Sequence, residues 1–143
     1  MSVYFTSLNS GSNGNCYYVG TATEAVLVDV GLSCRETEKR MQKLGLSMKT
    51  VKAIFVSHEH SDHITGVPGI SKKFQLPVYI TEATHKNCRL PIEPHLIASF
   101  NHAKPVVIGN LSVFPFRKSH DAQDPHSFLV SGHGVNVGVI TDI

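Results

Sequence analysis

Apolar residues recur along this chain in runs of strand length, and clusters of Gly, Asn and Ser separate them. "VYFTSL" reads as a first strand, stopped by "NSGSNGN", Asn9 to Asn15. "CYYVG" and "AVLVDVG" read as a hairpin pair around the polar turn "TATE". The period then changes. "SCRETEKRMQKLGL" is helical in character, with Ser33 as its cap and Glu36 at the capping-box offset. Met41 and Leu44 share one face of it, and Gly45 is the stop. "VKAIFVS" returns to a buried strand that runs straight into a histidine-rich segment. "ITGVPGISKKF" predicts a short helix whose extent Pro68 and Gly69 limit, "LPVYIT" a strand, and "EATHKNCRL" a helix broken before Pro91. "HLIASF", "PVVIG", "LSVFPFRKS", "HSFLVSGHG" and "VNVGVITDI" predict a run of antiparallel strands. The mixture indicates an α/β (α+β) chain, a sheet carrying helices on its outer face. With no repeat, low-complexity tract or linker, residues 1–143 read as a single domain.

Composition narrows the class. At 41% hydrophobic and 17% charged residues the chain is neither disordered nor membrane-embedded. Its apolar runs are too short to span a bilayer, and "MSVYFTSLNS" lacks the basic start and apolar segment of a secretory signal. The three cysteines, Cys16, Cys34 and Cys88, are odd in number and scattered, which argues against a disulfide framework and for a reducing cytoplasm. A net charge of +2 permits an anionic substrate without announcing a nucleic-acid-binding protein.

The chemistry concentrates in "SHEHSDH", Ser57 to His63. In an extended or turning backbone alternate residues project to one side, so His58 and His60 point together while Glu59 points away. Two imidazoles so spaced suit one metal ion at about 2.0–2.1 Å each. A helix starting near Asp62 would carry Asp62 and His63 toward a second position. A lone histidine is ordinarily a surface or core residue, but HxHxDH behind a buried strand is a far more demanding pattern. The nitrogen and oxygen donors suit Zn2+, one or two ions, with Mn2+ or Fe also compatible.

"SHEHSDH" resembles the signature of the metallo-β-lactamase-fold hydrolases. The likeness extends to "LVDVG" at Leu27–Gly31, to "SHDA" at Ser119–Ala122 and to "GVITD" at Gly138–Asp142. "SLNSGSNGNCYYV" and "SHDAQDP" are similar in particular to the YycJ/WalJ-type group of bacterial proteins. The resemblance implies that His58, His60 and His120 hold a first metal, that Asp62 and His63 hold a second, and that Asp142 bridges both. It implies that Asp29 orients the metal loop by hydrogen bonds without touching metal, and that Asp62 also accepts a hydrogen bond from the attacking hydroxide. The family's further second-metal histidine lies in the half of the fold after Asp142, which this sequence does not contain. The chain also stops at Ile143, directly behind a segment that reads as a core strand. The expectation is therefore the first αβ half of an αββα sandwich, with an apolar sheet face that a homo-oligomer would cover.

The activity so implied is that of a metal-dependent hydrolase using a metal-bound hydroxide. A phosphodiesterase or nuclease acting on DNA, exonuclease-like, is favoured by the YycJ/WalJ-type likeness. Thioester or lactone hydrolysis on the same fold is the rival enzyme reading, and a non-catalytic, self-associating metal-binding fragment the rival of another class. The oxygen-reducing flavodiiron branch is disfavoured, because it usually carries glutamate where this chain has His60. "NSGSNGN" reads as a tight turn sooner than a phosphate cradle, since it lacks the P-loop form, and in the resembling family it lies near the active-site rim. His85, His95, His102 and His133 read as surface residues, His126 as structural, Asp124 as a turn former, and Glu59 as solvated or a helper. The cysteines read as buried fillers, and the basic side of the first helix, Arg35, Lys39, Arg40 and Lys43, as a wet face.

Overall fold

Both faces of the central strands are apolar, and the fold lays a separate layer against each. A computed structural model describes residues 2–101, 104–117 and 125–140. Six strands form the first sheet in chain order: β1 (Tyr4–Asn9), β2 (Cys16–Gly20), β3 (Ala25–Val28), β4 (Val51–Phe55), β5 (Val78–Tyr79) and β6 (Ile97–Ala98). β1 to β3 pair antiparallel through short turns, whereas β3 to β6 pair parallel. Parallel neighbours need crossover connections, which the helices supply. These are α1 (Cys34–Lys43), then α2 (Ser61–Ile64) with α3 (Val67–Phe74), then α4 (Glu82–Cys88). The expected cap holds, with Ser33 Oγ accepting from the Glu36 N–H at 3.1 Å. The short helix expected around Pro68 is α3, and Pro68 falls in its first turn, where its missing N–H has no helical partner to lose.

The period of two along β3 and β4 sorts side chains between two cores. Ala25, Leu27, Ile54 and Val56 face the helices and pack with Met41, Val67 and Ile70. Val26, Val28, Ala53 and Phe55 face the other way, onto Leu111, Val113, Phe128 and Val130. Those partners belong to a second, four-stranded antiparallel sheet, ordered β10 (Val135–Val139), β9 (His126–Gly132), β8 (Leu111–Arg117) and β7 (Val106–Ile108). The mixed α/β class and the sandwich are thus as expected. One detail differs: the inner face of the first sheet, expected to lie bare, is covered. The physical reason is that the later strands, read as one antiparallel run, turn back over the first sheet as hairpins. The apolar surface left open is instead the outer face of the second sheet, where Val107, Phe114 and Phe116 are exposed and Phe114 lies opposite Leu129. Among the described residues no helix is long and apolar enough to cross a membrane.

Phe128 is fully buried between the sheets, with its ring 5.5 Å from that of Phe55. Phe128→Ala is expected to cost about 3–5 kcal/mol in urea unfolding while keeping one transition by both near-UV and far-UV circular dichroism. A split transition would show that the two sheets do not share a core.

Candidate metal centre

β3 and β4 run parallel with Val28 beside Phe55, so the chain leaves both strands at the same edge of the sheet. At that edge Asp29 follows β3 and "SHEHSDH" follows β4. Asp29 takes a left-handed conformation, φ 61°, which Asp tolerates better than most residues. Its N–H donates to the Phe55 carbonyl at 2.8 Å, and its carboxylate is fully buried beneath the histidine loop.

An ionised carboxylate only accepts hydrogen bonds, so each partner of Asp29 must donate. Ser57 N–H reaches Oδ1 at 2.7 Å, while Ser57 Oγ and His63 Nδ1 each reach Oδ2 at 2.6 Å. The Ser57 hydroxyl spends its one proton on Asp29, so it accepts from His58 Nδ1, 2.8 Å away. Both histidines are therefore held in the tautomer protonated at Nδ1, with the Nε2 lone pair as the ligand atom. The rings lie close together: centroids are 4.0 Å apart for His58 and His63, and 4.7 Å for His58 and His60. α2 begins at Ser61 with His60 as its cap, and this turn carries Asp62 round until its Oδ2 stands 3.7 Å from His63 Nε2. Two donors each about 2.0–2.1 Å from one ion can be at most about 4.2 Å apart, so this pair fits a shared metal. Among the described residues no three His, Cys, Asp or Glu side chains close on one point as a complete cage. The expected ligands His120 and Asp142 lie outside the described residues. The flank of the His120 segment is described, however, and the His126 N–H donates to the carbonyl of Ser57, next to His58, at 2.8 Å.

Three further residues, which the sequence did not single out, hold this edge together. Ser57 is the relay between Asp29 and His58. Asn15, at the end of the glycine-rich turn, donates its backbone N–H to the Asp62 carbonyl at 2.6 Å and accepts from the Gly31 N–H at 2.8 Å. Gly31 has no alternative, since a Cβ there would lie 1.8 Å from the Asp62 carbonyl oxygen. The available signals were the Ser directly before His58 and the polar Asn15 directly before an apolar strand.

The remaining candidates fall elsewhere. His126 is buried, with its ring edge-on to Phe100 at 5.0 Å. Glu59 turns away from the cluster and accepts from Asn87 Nδ2 on α4. His85 and His95 lie toward Leu90 and Glu93, and His133 occupies the turn between β9 and β10. His102 and Asp124 lie outside the described residues. On α1, Arg40 is no spare cation, because its guanidinium bonds Glu36, the Leu8 carbonyl and Asn9 Oδ1. Burial is the leading cause that pushes all three thiols, Cys16, Cys34 and Cys88, above their ordinary pKa, which disfavours thiolate chemistry.

Residues 10–138 match the metallo-beta-lactamase superfamily. The chain is 37% identical to the exodeoxyribonuclease YycJ of Bacillus anthracis, an alignment that covers 99% of this chain and 55% of that protein. It is 29% identical to the exodeoxyribonuclease WalJ of Streptococcus pneumoniae, covering 96% and 53% respectively. The chain thus spans about half the length of the curated relatives it matches. Among solved structures it is similar to the Rm3 metallo-beta-lactamase, with a TM-score of 0.79, 15% identity, and coverage of 94% and 56%. It is also similar to MEM-A1, a subclass B3 metallo-beta-lactamase from a soil metagenome library, with a TM-score of 0.74, 19% identity, and coverage of 96% and 58%. At those identities the structural likeness speaks for the fold alone.

Asp29→Ala removes the acceptor for three buried donors and is expected to cost about 3–5 kcal/mol in denaturant unfolding. Ser57→Ala removes one hydroxyl and is expected to cost about 1 kcal/mol. Equal costs would mean that the carboxylate is not the centre of the network.

Proposed function

The chain belongs to the metallo-beta-lactamase superfamily, and from that premise we propose that it is a metal-dependent hydrolase of phosphodiesters, exonuclease-like and acting on DNA. The observation that carries the metal reading is the Asp29 network, which fixes the tautomers of His58 and His63. The DNA reading is supported by the likeness to proteins named as exodeoxyribonucleases. His58, His60 and His120 would hold one ion, Asp62 and His63 another, and Asp142 both. Zn2+ suits these donors first, with Mn2+ or Fe next. A cytoplasmic setting agrees with the three cysteines, none of which forms a disulfide.

When bound, such ions lower the pKa of a water toward neutrality and polarise the scissile phosphate. The protein's own part is arrangement. Asp29 keeps the Nδ1 protons of His58 and His63 in place, so neither ring can turn its protonated nitrogen to the centre. Asp62, on a partly solvent-accessible side chain, also accepts a hydrogen bond from the attacking water and orients it toward phosphorus. The chain's net charge of +2 is compatible with an anionic substrate but does not by itself call for DNA.

Elemental analysis of the freshly purified chain is expected to find one or two equivalents of metal, lost from His58→Ala and Asp142→Ala. Asp29→Asn is expected to lower metal affinity by about 10–100-fold. With protein of the relatives' full length, cleavage of duplex DNA and bis-p-nitrophenyl phosphate should fail in the same variants. Metal retained by both ligand variants would sink the cage, and thioester turnover without phosphodiester cleavage would sink the substrate class.

A self-associating form remains a second reading, favoured by the exposed Val107, Phe114 and Phe116 on the second sheet. Sedimentation velocity is expected to show a dimer that Phe114→Lys dissociates; a monodisperse wild-type monomer would count against it.

A further inference from the structure

The Asn15 side chain is buried at 4% exposure, and its amide faces the atoms that would hold the second ion. Its orientation is fixed by its neighbours. Oδ1 accepts from the Gly11 N–H at 3.0 Å and from the Tyr17 hydroxyl at 3.3 Å. Nδ2 faces four acceptors: the Gly11 carbonyl at 3.0 Å, and the Asp62 carbonyl, Asp62 Oδ2 and His63 Nε2 at 3.2 Å each. A flipped amide would set oxygen against these lone pairs and NH2 against two donors. Because Asp29 keeps the His63 proton on Nδ1, Nε2 is an acceptor here too.

We propose that Asn15 is a positioning residue for the Asp62–His63 pair, its amide standing in for a cation until a divalent metal ion takes the two donors. The inference rests on the metal-centre reading of Asp62 and His63. Two amide hydrogens serve four acceptors, two of them backbone carbonyls and two the side-chain donors. When metal claims Asp62 Oδ2 and His63 Nε2, the hydrogens keep the Gly11 and Asp62 carbonyls, so the amide needs no new partners. In the metal-free protein the same amide relieves the juxtaposition of two lone-pair atoms only 3.7 Å apart. The pair is thus gathered before metal arrives, and the ordering cost is not charged against binding.

The test compares wild type, Asn15→Ala and Asn15→Asp, each stripped with chelator and titrated with Zn2+ while thermal melting and zinc per chain are followed. Asn15→Ala is expected to need about 10–100-fold more free Zn2+ for half its rise in melting temperature. Asn15→Asp has the same shape but sets a carboxylate against Asp62 Oδ2. It is expected to melt below wild type in chelator, with the deficit shrinking on Zn2+. If Asn15→Ala does not fold, Asn15→Asp decides alone. An unchanged half-point in Asn15→Ala, or a deficit in Asn15→Asp that Zn2+ leaves intact, overturns the inference and makes Asn15 a loop brace only. No zinc uptake by wild type would instead bring down the metal-centre reading, and this inference with it.

Discussion

A single buried carboxylate organises this molecule. Asp29 is shut off from bulk solvent, and an unpaired charge in such a place is prohibitively costly. It is tolerated because three donors converge on its two oxygens. That requirement dictates the histidine loop: Ser57 must present both its N–H and its hydroxyl, and His63 must present Nδ1. The tautomers follow from the direction of proton donation, and with them the nitrogen that faces the candidate centre. A neutral asparagine of the same shape could not accept from all three donors equally, which is why charge matters here more than volume.

The carboxylate reaches this position through sheet topology. Only a parallel β3–β4 pair brings two strand ends, and hence two loops distant in sequence, to the same edge. The left-handed Asp29 then turns its chain across the end of β4, and Gly31 lets it pass against the Asp62 carbonyl. Asn15 closes the third side from the β1–β2 turn. Three loops thus meet through backbone contacts and through the side chains of Asp29 and Asn15.

Much of this was legible in the sequence because it is written in local patterns. Strand-length apolar runs bounded by turn residues identified the strands, Ser33 and Glu36 marked a helix start, and HxHxDH announced a donor cluster. What escaped was whatever depends on contacts between distant segments. Asn15 looked like a turn residue because nothing nearby reveals that residues 47 and 48 positions later lie against its amide. Ser57 looked incidental because its role as relay needs Asp29, 28 residues earlier. The second sheet was hidden for a related reason: antiparallel hairpins have the same pattern whether they extend one sheet or fold over it. Only the apolar inner face of β3 and β4, which must be covered by something, favours the latter.

The precision of the centre therefore has its source below the loops. Phe55 ends β4 two residues before Ser57, and Phe128 follows His126 by two on β9. Their rings meet at 5.5 Å, Phe100 joins at 5.5 Å from Phe128, and the same Phe100 holds the His126 ring edge-on at 5.0 Å. Rotating any of these aromatics would open a void in a close-packed interior, so the two strand ends cannot move independently. The bond from His126 N–H to the Ser57 carbonyl fastens them at the surface of that core. The loop that carries His58 to His63 departs from one of these strand ends, so the inter-sheet core sets the distance between its stem and the start of β9. Loops brought together from distant segments need such a shared floor, because their hydrogen bonds fix local distances and directions and not the separation of the strands that carry them.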